Sequence, residues 1–321
     1  MELLGCRLLT QALAPLSFRS ICTLAHLVGG LASRMSALGN DFARENVDLV
    51  FPELPSEERA RIVALSYSNF ARTMLSLLWS ATKSQREIGS LTKLVGFEIV
   101  EAEAKRTGKP LIFTTCHFGN WELSSFGVAL NGRPTLIVGE DFKNPLLRPF
   151  FHGLRSRFGC EVIAQRGAAV RLLRHLKRGA DVAFLFDLTM PPAPNGAIVS
   201  AFGKPPFEMS VTPLHAVLAK RAGALWVPVI SVPDGNKGVR IIALAPIEIS
   251  EEISVGRAVQ EGWDLLQKTV CDRPDLYLWA YRHFRYKPSD TARPYPAYSQ
   301  PSAAFDALRC EVKTGAIQAR S

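Results

Sequence analysis

Short apolar runs rich in strand formers recur along this chain, each followed by a stretch with helical spacing, and this alternation limits the fold more than any other feature. Residues 110–115 (Pro110-Leu111-Ile112-Phe113-Thr114-Thr115), 135–138, 162–164, 182–186, 225–232 and 239–245 read as strands. Helices are expected from about residue 121 and over 145–158, 168–177, 211–222 and 255–271, with a long one over 56–81 that carries Glu57 and Glu58 in its first turn. The pattern predicts an α/β fold: a mixed, largely parallel sheet covered by helices. Open sheets of this kind gather ligands at the carboxyl ends of their strands, so polar residues just past a strand are the first candidates for function.

Two such residues stand out. His117 follows the strand at 110–115, and Asp187 follows the strand at 182–186. If both strands lie in one sheet, the two side chains converge on one crevice. Asp187 reads equally well as a turn acid ahead of Pro191-Pro192. Glu122 lies five residues after His117, which on an unbroken helix would set the two about 140° apart. Gly119 and Asn120 supply a turn into a helix starting near Trp121, and that turn is what would swing Glu122 back toward the imidazole. A carboxylate on one ring nitrogen fixes the tautomer and stabilises the imidazolium, leaving the other nitrogen to accept a proton. On spacing alone, a strand-end histidine and a helix-start acid of purely structural use are the favoured reading.

The chain of 321 residues has no internal repeat and no break in composition at its middle, so we expect an N-terminal helical segment (residues 1–38), one main domain (39–287) and a poorly ordered, proline-rich tail (288–321). Apolar runs at 8–18 and 21–32 are interrupted by Pro15 and Arg19. Neither reaches the ~20 residues that span a bilayer, which favours an interfacial, membrane-associated segment, with a helix packed on the domain as the alternative. Lysine and arginine exceed aspartate and glutamate by 38 to 29, a formal charge of +9 that favours an anionic partner. No finger, recognition helix or RNA-binding sheet motif is present, which argues against nucleic acid. Between residues 143 and 178 nine basic residues (Lys143, Arg148, Arg155, Arg157, Arg166, Arg171, Arg174, Lys177, Arg178) face a single acid, Glu161. Such a stretch suits a phosphate-rich head group, an acidic carrier protein or an anionic membrane. Arg166, beside Gly167, precedes a helix rather than lying on one.

The six cysteines show no C-x-x-C pair, and no tight ligand spacing supports a metal, so neither a metal nor another cofactor is expected. Cys116, next to His117, would point to the opposite face of its strand and reads as a buried structural thiol. The chain has no G-x-S-x-G elbow, Walker loop, G-x-G-x-x-G or H-E-x-x-H.

The stretch Cys116-His117-Phe118-Gly119-Asn120-Trp121-Glu122 resembles the H-x-x-x-x-E signature of the bacterial lipid A biosynthesis (late) acyltransferases, lauroyl and myristoyl type, within the lysophospholipid acyltransferase superfamily. Further blocks follow in the family's order: Asn46 to Leu54, Arg166-Gly167 with Leu172 to Gly179, Phe186-Asp187, Phe202-Gly203, Ala222-Gly223-Ala224 with Val227-Pro228-Val229, and Pro274 to Trp279 with Arg282 and Phe284. The resemblance implies a membrane enzyme at the cytoplasmic face of the inner membrane. Its donor would be an acyl-thioester, on acyl carrier protein or CoA, and its acceptor a hydroxyl of a lipid A precursor or related lipid. It implies His117 as general base, Glu122 as the acid that orients it, and Arg166 and Asp187 as residues that contact or arrange the substrates. Leu188 to Pro194 and Tyr281 depart from the family's usual residues, which leaves amino-acid lipids and other glycolipids open as acceptors. A glycerolipid acyltransferase using CoA and a non-catalytic adaptor that recruits a carrier protein are the competing readings.

Overall fold

The computed structural model describes residues 1–139, 144–194 and 196–313. Helices come first: α1 (Glu2–Leu13), α2 (Phe18–Ala32), α3 (Asn40–Val50), α4 (Ser56–Ser80) and α5 (Gln85–Ser90). Pro15 sits in the break between α1 and α2, and the Ser17 side chain caps α2 by accepting from the Ser20 amide at 3.1 Å. The long α4 is the spine on which this layer assembles. Gly29 of α2 lies so close to it that a Cβ there would stand 2.4 Å from Ser68 Cα. Trp79 Nε1 and Lys83 Nζ donate to the carbonyls of Leu16 and Ala14, closing the α1–α2 turn onto α4. Among the described residues no helix is long and apolar enough to cross a membrane. Leu4, Leu8 and Leu9 of α1 and Leu27, Val28 and Leu31 of α2 are nevertheless exposed.

The rest of the chain alternates strands and helices: β1 (Thr92–Val95), α6 (Phe97–Thr107), β2 (Leu111–Thr115), α7 (Trp121–Leu130), β3 (Leu136–Gly139), α8 (Leu147–Ser156), β4 (Glu161–Ala164), α9 (Ala168–Leu176) and β5 (Val182–Leu185). A hairpin follows, β6 (Ala197–Ala201) and β7 (Phe207–Val211), then α10 (Leu214–Ala222), β8 (Leu225–Pro233), β9 (Val239–Ala243), β10 (Ile247–Glu248) and α11 (Val255–Asp272). The main sheet has the order β1-β9-β8-β2-β5-β3-β4, with β10 also paired to β8. Strands β8, β2, β5, β3 and β4 run parallel, whereas β9 and β10 are antiparallel to β8. Both faces are buried: Ile112, Val182 and Trp226 belong to one apolar cluster, and Leu111, Phe113 and Val227 to the other. That is the setting parallel sheets need, and the expected mixed, largely parallel α/β architecture is present.

Two expectations are corrected. Residues 288–313 are not a loose tail: β11 (Tyr286–Lys287) pairs with β12 (Gln300–Pro301), and α12 (Ala303–Lys313) buries Phe305 and Leu308. Those two residues, three apart on one helical face, are enough to dock a segment otherwise rich in proline and small residues; residues 314–321 lie outside the described residues. The helix expected from 211 starts only at Leu214, because Val211 ends β7 and Pro213 fits only at a helix entry. The β6–β7 hairpin was hidden by its glycine- and proline-rich turn, Phe202-Gly203-Lys204-Pro205.

Candidate active site

The register of the sheet builds the site. Strands β2 and β5 pair so that Thr115 faces Leu185, and two residues further on His117 meets Asp187. Asp187 Oδ1 lies 2.9 Å from His117 Nδ1, and Oδ2 accepts the His117 amide at 3.0 Å. The carboxylate thus grips both ring and backbone. Asp187 is fully buried, whereas the His117 side chain keeps 17% of its exposure. Burial alone would raise the Asp187 carboxyl, but the charge of His117 and its two hydrogen bonds outweigh it and hold the group below the usual carboxylate range. An ionised Asp187 on Nδ1 fixes the tautomer with its lone pair on Nε2.

The chain turns sharply after His117, and neighbouring elements clamp that turn. The Gly119 amide donates to the Leu276 carbonyl at 3.0 Å and the Leu278 amide to the His117 carbonyl at 2.9 Å. Asn69 Nδ2 and Thr73 Oγ1, one turn apart on α4, donate to the Gly119 carbonyl at 2.9 and 3.0 Å. Gly119 has φ +61°, and a Cβ there would lie 1.9 Å from the Ser231 carbonyl oxygen, so only glycine fits. Asn120 then caps α7, its Oδ1 accepting the Leu123 amide at 3.0 Å while its own amide donates to Ser231 Oγ at 2.7 Å. Trp121 places its ring edge against the imidazole at 5.0 Å between centroids.

The acid expected to orient His117 was Glu122; the carboxylate hydrogen-bonded to Nδ1 is Asp187. Glu122 is buried in the first turn of α7 and is held in a two-point pair by Arg155 of α8, at 2.9 Å from Nε and 2.6 Å from Nη2. The reason is geometric: strand pairing brings Asp187 to the ring, while the guanidinium fork matches the Glu122 carboxylate. Arg166 does not bond to Asp187. It lies two residues past β4, exposed on the same carboxyl edge of the sheet, and β3 separates β4 from β5, a strand-to-strand span of roughly 10 Å. Its carbonyl accepts Arg171 Nη2 at 2.6 Å. The basic stretch is thus divided. Arg155 and Arg171 are occupied in the contacts just described, and Arg157 by the Ala81 and Lys83 carbonyls, whereas Arg166, Arg174, Lys177 and Arg178 are exposed; Lys143 lies outside the described residues. Cys116 is buried and its thiol pushed well up, first by burial and then by the charge of Asp187. Among the described residues no group of three or more His, Cys, Asp or Glu side chains is arranged to hold a metal.

Behind Asp187 lie two residues that the sequence did not single out, Tyr277 within the Pro274 to Trp279 block and His283 between Arg282 and Phe284. The buried Tyr277 hydroxyl lies 3.4 Å from His283 Nδ1. His283 Nε2 is 2.8 Å from the Leu278 carbonyl, which fixes that nitrogen as the donor. Burial pushes His283 down to about 4, so the ring is neutral. Tyr277 is pushed up, by burial first and then by the charge of Asp187. Their spacing of six residues in an irregular segment matches no helix or strand periodicity. The one visible hint is their place in the aromatic block that begins at Pro274.

The largely parallel α/β sheet thus sets a carboxylate-held imidazole on its carboxyl edge, where open sheets of this kind place their ligands. Residues 4–286 match the bacterial lipid A biosynthesis acyltransferases, and the chain belongs to that family. It is 25% identical over 295 residues to the lipid A biosynthesis lauroyltransferase of Escherichia coli K12, covering 90% of this chain and 91% of that protein. It is 23% identical over 247 residues to a lipid A biosynthesis acyltransferase of Haemophilus influenzae (76% and 74%), and 21% identical over 283 residues to the lipid A biosynthesis palmitoleoyltransferase of Escherichia coli K12 (85% and 87%).

Proposed function

We propose that this acyltransferase transfers a fatty acyl chain from an acyl-thioester to a hydroxyl of a lipid A precursor or a closely related glycolipid, with His117 as general base. The observation that carries the reading is the hold of Asp187 on His117 through both Nδ1 and the backbone amide. Nε2 takes the proton of the acceptor hydroxyl as its oxygen adds to the thioester carbonyl. When the tetrahedral intermediate collapses, the carbon–sulfur bond breaks and the imidazolium returns the proton to the departing thiolate. The products are an ester and a thiol. Asp187 stabilises the imidazolium in between, work typical of general-base catalysis and worth roughly 10²–10⁴-fold. Glu122 acts indirectly, by fixing Arg155 and the first turn of α7. Exposed Arg166 on the same edge receives an anionic part of the acceptor.

The donor site faces an acidic acyl carrier protein, recruited by the exposed basic residues Arg174, Lys177 and Arg178. The exposed leucines of α1 and α2 seat the enzyme on the cytoplasmic face of the inner membrane as an interfacial helix pair. Purified protein supplied with carrier-protein or CoA thioesters and a panel of lipid acceptors is expected to yield an acylated glycolipid detectable by mass spectrometry. His117→Ala is expected to abolish that product with an unchanged melting curve. Product formation by the folded variant would remove His117 from the mechanism.

A further inference from the structure

A cavity of about 410 Å³ lies between α2, α4 and the turn joining β8 to β9, apart from the crevice that holds His117. Cys22 and His26, one turn apart on α2, line one wall, and Arg72 of α4 faces them. Asn236, Arg273 and Asp275 close the remaining side. The charges do not balance within it. Arg273 is held by Asp275 in a two-point pair at 2.9 and 2.8 Å, which neutralises both. Among the described residues, Arg72 has no carboxylate within ion-pair distance. Its Nη2 donates to Asn69 Oδ1 at 2.5 Å, while Nε is buried with no acceptor at all.

A guanidinium taken out of water without a counter-ion is costly, and the groups that match its fork are carboxylate and phosphate. The cavity is within the size range of small-molecule sites and far larger than one phosphate needs, so it has room for the group that carries the phosphate. Leu27, Val28 and Leu31, which follow the lining residue His26 along α2, are exposed apolar residues. We propose that this cavity is a second anion site, with Arg72 as its principal cation, that takes a phosphate monoester on a lipid head group or as free inorganic phosphate. Asn69 links it to the catalytic turn, accepting from Arg72 through Oδ1 and donating through Nδ2 to the Gly119 and Leu276 carbonyls.

Occupancy is measured without turnover, so it stands or falls separately from acyl transfer at His117. Cys22 is the reporter. Its alkylation by iodoacetamide in the full-length protein is followed by peptide mass spectrometry at alkaline pH, because burial raises its thiol. Inorganic phosphate at about ten times its Kd is expected to slow Cys22 alkylation roughly tenfold relative to chloride at equal ionic strength. Arg72→Gln, checked for an unchanged melting curve, is expected to lose that protection. Protection by phosphatidic acid vesicles as well as by phosphate marks the shared monoester as the ligand; protection by the vesicles alone assigns the lipid. The wild-type comparisons, phosphate against chloride and phosphatidic acid against phosphatidylcholine vesicles, decide the matter even if Arg72→Gln does not fold. No protection of the wild type by phosphate or by phosphatidic acid, equal protection by phosphatidylcholine vesicles, or full protection of folded Arg72→Gln would overturn the proposal.

Discussion

Two buried carboxylates were candidates to hold the imidazole, and their partners give them different work. Asp187 holds His117, whereas Glu122 holds Arg155. Asp187→Asn keeps the shape but cannot balance the imidazolium, so kcat is expected to fall by roughly 10²–10⁴-fold in steady-state assays while the melting curve stays close to wild type. Glu122→Ala removes the carboxylate of the two-point pair with Arg155. It is expected to lower unfolding stability by about 1–3 kcal/mol in a urea titration, the scale of losing a charged hydrogen-bonded pair. Tyr277→Phe removes the hydroxyl behind Asp187, and a smaller drop in kcat with unchanged KM would identify it as a positioning residue. His117 and Asp187 were both legible in the sequence as polar residues at strand ends. Their pairing was not, because closeness in sequence favours Glu122, whereas the actual partner is 70 residues away and is delivered by strand register.

At the level of elements, the parallel strands and the long helix α4 were readable because apolar runs and helical spacing report burial directly. Pieces that depend on tertiary contact were not. The β6–β7 hairpin and α12 bury their apolar residues only against neighbours far along the chain, and the intervening prolines and glycines mimic a loop. The docking of α2 on α4 rests on Gly29, where any side chain meets the backbone of Ser68. Gly29→Ala is expected to push the helices apart and cost roughly 1–3 kcal/mol, the usual penalty of overpacking. Limited proteolysis should then cut the N-terminal helices sooner than in the wild type. Unchanged cleavage would mean that the leucine-rich pair is held mainly by the Trp79 and Lys83 contacts.

For the molecule as a whole, two fully buried histidines make stability depend on pH in the acid range. His283 and His215 are both pushed down to about 4 by burial. Their folded values lie below the unfolded value near 6.5, so the unfolded chain binds protons first and stability rises with pH. Each contribution is complete above about pH 6.5 and is lost as pH falls toward 4, amounting to about 2 kcal/mol per histidine by pH 5. Urea titrations at pH 7.5 and pH 5 are expected to differ by about that sum, and His215→Phe to flatten the dependence by half. The pairing of β2 with β5 carries a consequence of another kind. His117 and Asp187 meet only when these two strands have closed in one alignment, and a slip of a single residue turns every following side chain to the opposite face. On the mechanism proposed above, catalytic competence and completion of the central sheet are thus a single event, and a half-assembled chain would have no means of spending activated acyl groups on water.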